Sequence, residues 1–523
     1  YTDGVDRFVE YTKTLQGESI YNVKVVPCPH ADAKDGTCLY CGKTGIAAMV
    51  GSKTYDNVGT AVSEWLDGSV QGTLKLFADY GEGFDANALD FSSASAEWLT
   101  IDLNGHGFYK NCQDNIKLSG GKALTITDSS GKGTGVFGPI IADRGTLTLE
   151  SGHLEGLTVP SSSTATIHLR GGKLTGISCP VPIFNLLPDG YALMDDSGRP
   201  VDPTITIYDS ETYTVKDSTN LYIGSQKEGS AAIGSDTIPF ALSLKTADSE
   251  IGQMGFTWYI VKEDGTTQKL AATTSDVAPG TDGVYTCNAA NMTADPDGWS
   301  GLKANETYTV LCVVNGKTSD GTSKWQTPMR GYKLTVTKAD LSQGAVVFTQ
   351  VAPEYGTMGN INDGKGTFVF TPYSGDADNA TELSYLFEVS CNGRKLTEGS
   401  DYTVKGGNTA KWAGTYTLTI EGKGNYTGTA AHQWEIKPYT LSKDLGVARI
   451  IRNYDGTTNL SAEQLIGLGY FLENLENRNS KNPILGADQS RIKIQLGEED
   501  FEVSNVKLGS AEAGDTTASF TIK

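Results

Sequence analysis

Across 523 residues no apolar run approaches the length of a membrane span, so no direct membrane insertion is read into this fragment. Basic residues are scarce: 42 Lys plus Arg stand against 62 Asp plus Glu, a formal charge of −20. That balance argues against nucleic acid and anionic membrane as partners, and an acidic surface by itself does no more than keep an extracellular chain soluble. Eight cysteines are too few for a disulfide-dense scaffold. Also missing are a Ser/His/Asp triad, a P-loop, an HExxH helix and a closely spaced carboxylate pair in a context that supports chemistry. The chain therefore reads as a non-enzyme. It opens without a charged n-region or an apolar h-region and closes in a strand-like Thr521-Ile-Lys523, the pattern expected of a mature or trimmed piece.

What is present is glycine, tyrosine and short apolar strands. With 62 glycines and 24 tyrosines, the composition predicts a mainly β chain of several domains, since a single core does not grow to this size. Residues 97–175 organise it. Leu99-Thr-Ile-Asp-Leu103, Leu124-Thr-Ile126, Leu147-Thr-Leu149 and Ile167-His-Leu169 are each followed by a glycine turn, at steps of 25, 23 and 20 residues. Such spacing places one coil of a solenoid over the last and predicts a right-handed parallel β-helix.

Three of the eight cysteines crowd between residues 28 and 41. Cys28-Pro-His30 and Cys38-Leu-Tyr-Cys41-Gly42 bring three thiols and one imidazole into fourteen residues, a donor set for a tetrahedral, structural Zn²⁺ with no position left for water. A Cys28–Cys41 or Cys38–Cys41 disulfide, with His30 a bystander, is the rival reading. The segment resembles small zinc-knuckle inserts in surface proteins of anaerobic gut bacteria. Upstream, Val5, Phe8, Val9, Thr12 and Leu15 share one face at helical spacing, predicting an amphipathic helix that caps the solenoid end, or binds a partner.

Asn57 is placed to N-cap a helix whose Val58, Val62, Trp65 and Leu66 share a face, with Gly68 ending it. Together with Leu103-Asn-Gly-His-Gly107, Leu124-Thr-Ile-Thr-Asp128-Ser-Ser-Gly131 and Gly145-Thr-Leu-Thr-Leu-Glu-Ser-Gly152, this region resembles the pectate-lyase-like β-helices of bacterial cell-surface proteins. Lyases on that fold carry an acidic Ca²⁺ cluster and a basic proton abstractor on adjacent coils. Here Asp102, Asp128, Asp143 and Arg144 are spread singly along turns, where aspartate is a turn former. His106, His153 and His168 have differing offsets in the repeat and are expected to be exposed and unlinked.

Beyond Pro200 alternating strands take over. Phe256-Thr-Trp-Tyr-Ile260, an Asp264-Gly265 turn, Gly283-Val-Tyr-Thr-Cys287 and Tyr308-Thr-Val-Leu-Cys-Val-Val314 resemble an immunoglobulin-like core, although both cysteines follow the Trp, which leaves a Cys287–Cys312 bridge open. Trp258, Trp299 and Trp325 read as core or loop anchors, with sugar stacking as the alternative. Ala413-Gly-Thr-Tyr-Thr-Leu-Thr-Ile420-Glu-Gly-Lys-Gly-Asn-Tyr426-Thr-Gly428 resembles the β-sandwich repeats of bacterial adhesins, with Asn425 and Gly428 expected at positive φ. Asn453-Tyr-Asp-Gly-Thr-Thr458 is similar to repeats named for their Tyr-Asp-Gly signature, and Ser461–Gln464 reads as a capping box for a short helix through Leu472.

The chain thus divides into five segments. They are a capping helix with a zinc-knuckle-like loop (1–50), the β-helix (51–205), an Ig-like β-sandwich (206–338), an adhesin-type repeat (339–438) and a Tyr-Asp-Gly-type repeat that the chain end can truncate (439–523). The resemblances imply a secreted or cell-wall-displayed bacterial adhesin that binds a host protein or glycoprotein, immunoglobulin or mucin-type glycoprotein first. The other readings are a polysaccharide-active β-helix enzyme and a structural spacer.

Overall fold

The computed structural model describes residues 7–16, 18–28, 30, 33–81, 89–112, 116–218, 220–273, 275–295, 297–351, 367–369, 383–437, 458, 503–509 and 518–522. The chain is mainly β and divides into two compact units, one of residues 1–231 and 235–336, the other of 232–234 and 337–523. Among the described residues no helix is long and apolar enough to cross a membrane.

The first unit begins with an antiparallel hairpin of β1 (Arg7–Gln16) and β2 (Glu18–Pro27), Arg7 opposite Pro27 and Gln16 opposite Glu18. This corrects the capping helix expected there. Val9, Tyr11, Thr12 and Thr14 on one strand and Ile20, Tyr21, Val23, Val25 and Val26 on the other are β-branched or aromatic, which favours an extended chain over a helix. Next come two short strands, β3 (Ala33–Lys34) and β4 (Thr37–Cys38), then β5 (Ala48–Val50) and β6 (Lys53–Tyr55). Helix α1 (Val58–Leu66) forms where expected: the Asn57 side chain accepts from the Thr60 amide, Val58, Ala61, Val62 and Trp65 are buried, and Gly68 leaves the helix at φ +78°. Strand β7 (Leu74–Leu76) pairs antiparallel with β5, Leu74 opposite Val50.

Short parallel strands then recur in threes: β8 (Trp98–Asp102), β9 (Gly107–Phe108), β10 (Ile116–Leu118); β11 (Ala123–Thr127), β12 (Val136–Phe137), β13 (Ile140–Ala142); and β14 (Thr146–Leu149), β15 (His153–Leu154), β16 (Leu157–Thr158). A shorter round of β17 (Thr166–Leu169) and β18 (Lys173–Ser178) ends the series. The first member of each round pairs with the first of the next, so Leu99, Leu124, Leu147 and Ile167 stand in one register row. These are the positions that the sequence spacing selects. In the other sheet Phe108, Phe137, Leu154 and Leu174 form a second row and Ile116, Ile140, Leu157 and Ile177 a third, the six-residue β18 serving both ladders. All twelve side chains are buried in one cluster that runs from Ala48 to Val215. Each contributes roughly 1.5–3 kcal/mol of apolar burial, and Phe108 and Phe137 also stack at 5.3 Å.

Two antiparallel strands close this block. Strand β19 (Tyr191–Met194) and the long β20 (Tyr208–Asp217) pair with each other, and β20 runs along β18. Tyr213 and Val215 of β20 join the same core.

A sandwich-like pair of sheets completes the unit. One holds β21 (Asn220–Gln226), β23 (Ala241–Thr246) and β26 (Tyr285–Cys287); the other is ordered β22 (Glu228–Ala232), β29 (Ser323–Thr337), β28 (Thr307–Lys317), β24 (Gln253–Val261), β25 (Thr267–Thr273) and β27 (Met292–Ala294). Gly265 provides the β24–β25 turn at φ +80°. Phe240 stacks on Trp258 at 4.9 Å, and Tyr332 meets that indole edge-on. Phe184, at the end of the parallel block, packs on Leu311 and Val313 of β28, while the Gly190 amide donates to Thr327 Oγ1 and Arg330 Nε to Asp189 Oδ1.

In the second unit, strands 402–406, 414–422 and 429–437 form an antiparallel set, with 367–369 parallel to the last. Gly424 and Gly428 take the left-handed positions at φ +60° and +73°, so Gly424 does what Asn425 was expected to do. The Tyr-Asp-Gly motif apart from Thr458, and the helix expected from Ser461, lie outside the described residues.

Candidate metal centre

Cys28 comes directly after β2, and the chain then folds into the β3–β4 hairpin, in which Ala33 faces Cys38 and Lys34 faces Thr37. Backbone bonds fix this small turn: the Ala33 amide donates to the His30 carbonyl, the Cys38 amide to Lys43 O and the Gly42 amide to Cys38 O. His30 adopts φ +50°, a conformation costing a non-glycine residue about 1–2 kcal/mol. Gly36 lies at φ +71°, and a Cβ there would come within 3.0 Å of the Ile46 carbonyl. The Ile46 amide bonds the Gly36 carbonyl in turn, tying the turn to the segment that leads into β5.

The result brings together all four residues singled out from the sequence. Cys28, His30, Cys38 and Cys41 are all buried, and their ligand atoms lie within 4.8 Å of one another. Cys28 Sγ stands 3.5 Å from Cys38 Sγ, and Cys41 Sγ 3.4 Å from His30 Nδ1. Tetrahedral bonds of about 2.0–2.3 Å place neighbouring donors roughly 3.4–3.8 Å apart, so both separations match edges of one coordination tetrahedron. The cluster can hold a metal ion. Among the described residues it is the one group of three or more such donors.

The local field separates the thiols. Burial pushes Cys28 up to about 11, with the thiols of Cys38 and Cys41 acting in the same direction. Burial also acts upward on Cys38, but the amides of Cys41 and Tyr40 and the His30 ring outweigh it and bring Cys38 down to about 6. Amides converging on a sulfur favour its thiolate, the form that binds metal. Ile46, Met49 and Phe77 pack beneath the thiols. No spacing or motif in the sequence ties these three to the site. Met49 and Phe77 lie on and just after strands of the first sheet, and only the pairing of β5 with β7 brings them there.

The other polar candidates are not brought together into a site. Asp102 accepts from the amides of Asn104 and Ser129 and from Ser129 Oγ, with Lys75 Nζ at 3.4 Å. Asp128 accepts from the amides of Gly105, Ser130 and Gly135. Its burial raises the pKa, but those amides outweigh burial and hold the carboxyl below the usual range. Both are turn formers that link the turns after successive ladder strands. Exposed Arg144 lies 3.8 Å from its half-buried neighbour Asp143. The three histidines are half-buried, contrary to the exposure expected: His106 faces Asp79, His153 Nε2 bonds Thr175 Oγ1, and His168 stands in register with Thr148 on the outer face of β17. Trp258, Trp299 and Trp325 are buried in the sandwich, and Cys287 and Cys312 are buried free thiols on its two sheets. The chain matches no family model and no curated protein.

Proposed function

We propose that the protein is a secreted or wall-displayed bacterial adhesin. Its parallel block is a right-handed β-helix, a structural Zn²⁺ held by Cys28, His30, Cys38 and Cys41 staples its first turn, and the sandwiches carry it as stalks. Three thiolates and an imidazole are a donor set suited to zinc and poor for Ca²⁺ or Mg²⁺, which take oxygen ligands. Four protein donors leave no open position for water, so the ion holds the fold and does no chemistry.

The observation that carries the binding role is the contrast between the two sides of the ladder strands. The inward rows are Leu, Ile and Phe, whereas the outward rows are mostly threonine: Thr100, Thr125, Thr148 and His168 stand in one row, and Trp98, 81% exposed, heads another with Ala123, Thr146 and Thr166. A large indole left in water is characteristic of a contact residue. The first ligands to test are immunoglobulin and mucin-type glycoprotein. Surface plasmon resonance of the full chain over polyclonal immunoglobulin and over purified mucin is expected to show saturable binding to one of them, weakened about thirty-fold in Trp98→Ala, the ~2 kcal/mol of an aromatic hot spot. Binding to neither overturns the reading, and so does release of unsaturated or shortened glycans from the mucin.

A further inference from the structure

Within the cluster Cys28 Sγ stands 3.5 Å from Cys38 Sγ, and Cys41 Sγ 3.4 Å from His30 Nδ1. We propose that Cys28 and Cys38 are a site of oxidative modification, closing to a disulfide in the presence of a hydroperoxide and expelling the metal. The proposal rests on the zinc reading of the same cluster. Cys28 is 4% exposed and Cys38 fully buried, so a small oxidant meets Cys28 first, and a bulky disulfide reagent is excluded.

The chemistry balances in two steps. One sulfur of the pair attacks one oxygen of hydrogen peroxide, the O–O bond breaks, and that cysteine becomes a sulfenic acid as the first water leaves. The second sulfur then attacks the sulfenic sulfur, the S–O bond breaks, and a second water departs with the hydroxyl. Two thiols lose two electrons in all and one hydroperoxide takes them. With two of its four ligands joined to each other, Zn²⁺ loses its site, because a sulfur in a disulfide no longer carries the thiolate charge.

This pairing differs from both disulfides that the sequence allowed, Cys28–Cys41 and Cys38–Cys41. In the fold Cys28 ends the segment leaving β2, whereas Cys38 belongs to β4. The new bond therefore keeps the entry to the turn tied to the turn itself. What it releases is the Cys41 and His30 side and, with it, the cover over Ile46, Met49 and Phe77.

The test treats the zinc-loaded full chain with hydrogen peroxide, follows zinc with a chromogenic chelator and maps peptides without reduction. One zinc is expected to be released for each Cys28–Cys38 linkage formed, and dithiothreitol with added zinc is expected to reverse both. Cys112→Ser, which removes a buried thiol outside the cluster, is expected to leave the release unchanged. Retention of zinc under peroxide overturns the proposal, as does a linkage of Cys41 to Cys28 or to Cys38. If the purified chain binds no zinc, the zinc reading falls on that result alone, and the peptide map of the same chain still decides the pairing.

Discussion

The parallel ladders and the Cys/His turn belong to one unit and differ in what is available to hold them. The ladders from β8 to β18 bury continuous rows of Leu, Ile and Phe, and a strand inside a ladder is supported by a neighbour on each side. The turn at residues 28–42 has two strands of two residues each and, among the described residues, packs its thiols on a small cluster of Ala33, Ile46, Met49 and Phe77. A segment that small cannot meet the entropy of its own ordering through apolar burial. Repetition gives stability that is spread out and tolerant, whereas coordination gives stability that is concentrated and conditional.

The strongest way to break this contrast is to damage a ladder row. Phe137→Ala removes a fully buried ring stacked on Phe108 and is expected to cost about 3–5 kcal/mol. Chemical denaturation is expected to show the whole parallel block losing stability, with metal content unchanged. A loss below about 1 kcal/mol would mean that the row does not act as one core. Metal removal sharpens the contrast from the other side. Elemental analysis is expected to find about one Zn per chain, absent in Cys38→Ser, and a chelator is expected to remove about 2.7 kcal/mol of stabilisation relative to free zinc at a hundred times its Kd. Amide exchange is expected to localise that loss to residues 28–50. A loss spread evenly over the ladders would erase the distinction.

The smallest effect tests what links the turns after successive ladder strands. Asp128 accepts three amides and its carboxyl is held below the usual range, so its stabilisation is fully present above the unfolded aspartate value of about 4 and is lost as pH falls through the folded value. Asp128→Asn places an NH₂ against one of those amide donors and is expected to cost about 1–3 kcal/mol at pH 7. The same substitution is expected to flatten the acid limb of the stability profile. An unchanged acid limb would remove Asp128 from that role.

Much of the ladder architecture was legible because its rows repeat: Leu99, Leu124, Leu147 and Ile167 stood out by spacing and now stand in register. The metal cluster was legible because its donor types are rare and close in sequence. The second parallel sheet was not, since strands such as β9, β12, β15 and β16 are two residues long and two residues carry no periodicity. The N-terminal hairpin was misread because Phe8, Val9, Thr12 and Leu15 fit a helical face while the same stretch is dense in β-formers, and pairing between β1 and β2 decided the matter. His106 and His153 were expected in water because they follow glycine turns, and His168 because it alternates with inward residues, and neither signal reveals which neighbouring segment covers the ring.

The antiparallel strand β20 has a consequence for life in a crowd. A stack of parallel rungs ends in a rung whose amides and carbonyls are a template for another copy, the geometry from which fibres grow. Here the final rung, β18, meets a strand running the opposite way, with Lys173 opposite Thr214 and Ser178 opposite Tyr208, and β19 backs that strand in turn. Reversal of direction and the register shift between Thr175 and Ile177 deny an incoming parallel strand its match. At β18 the parallel block thus carries its own stop signal.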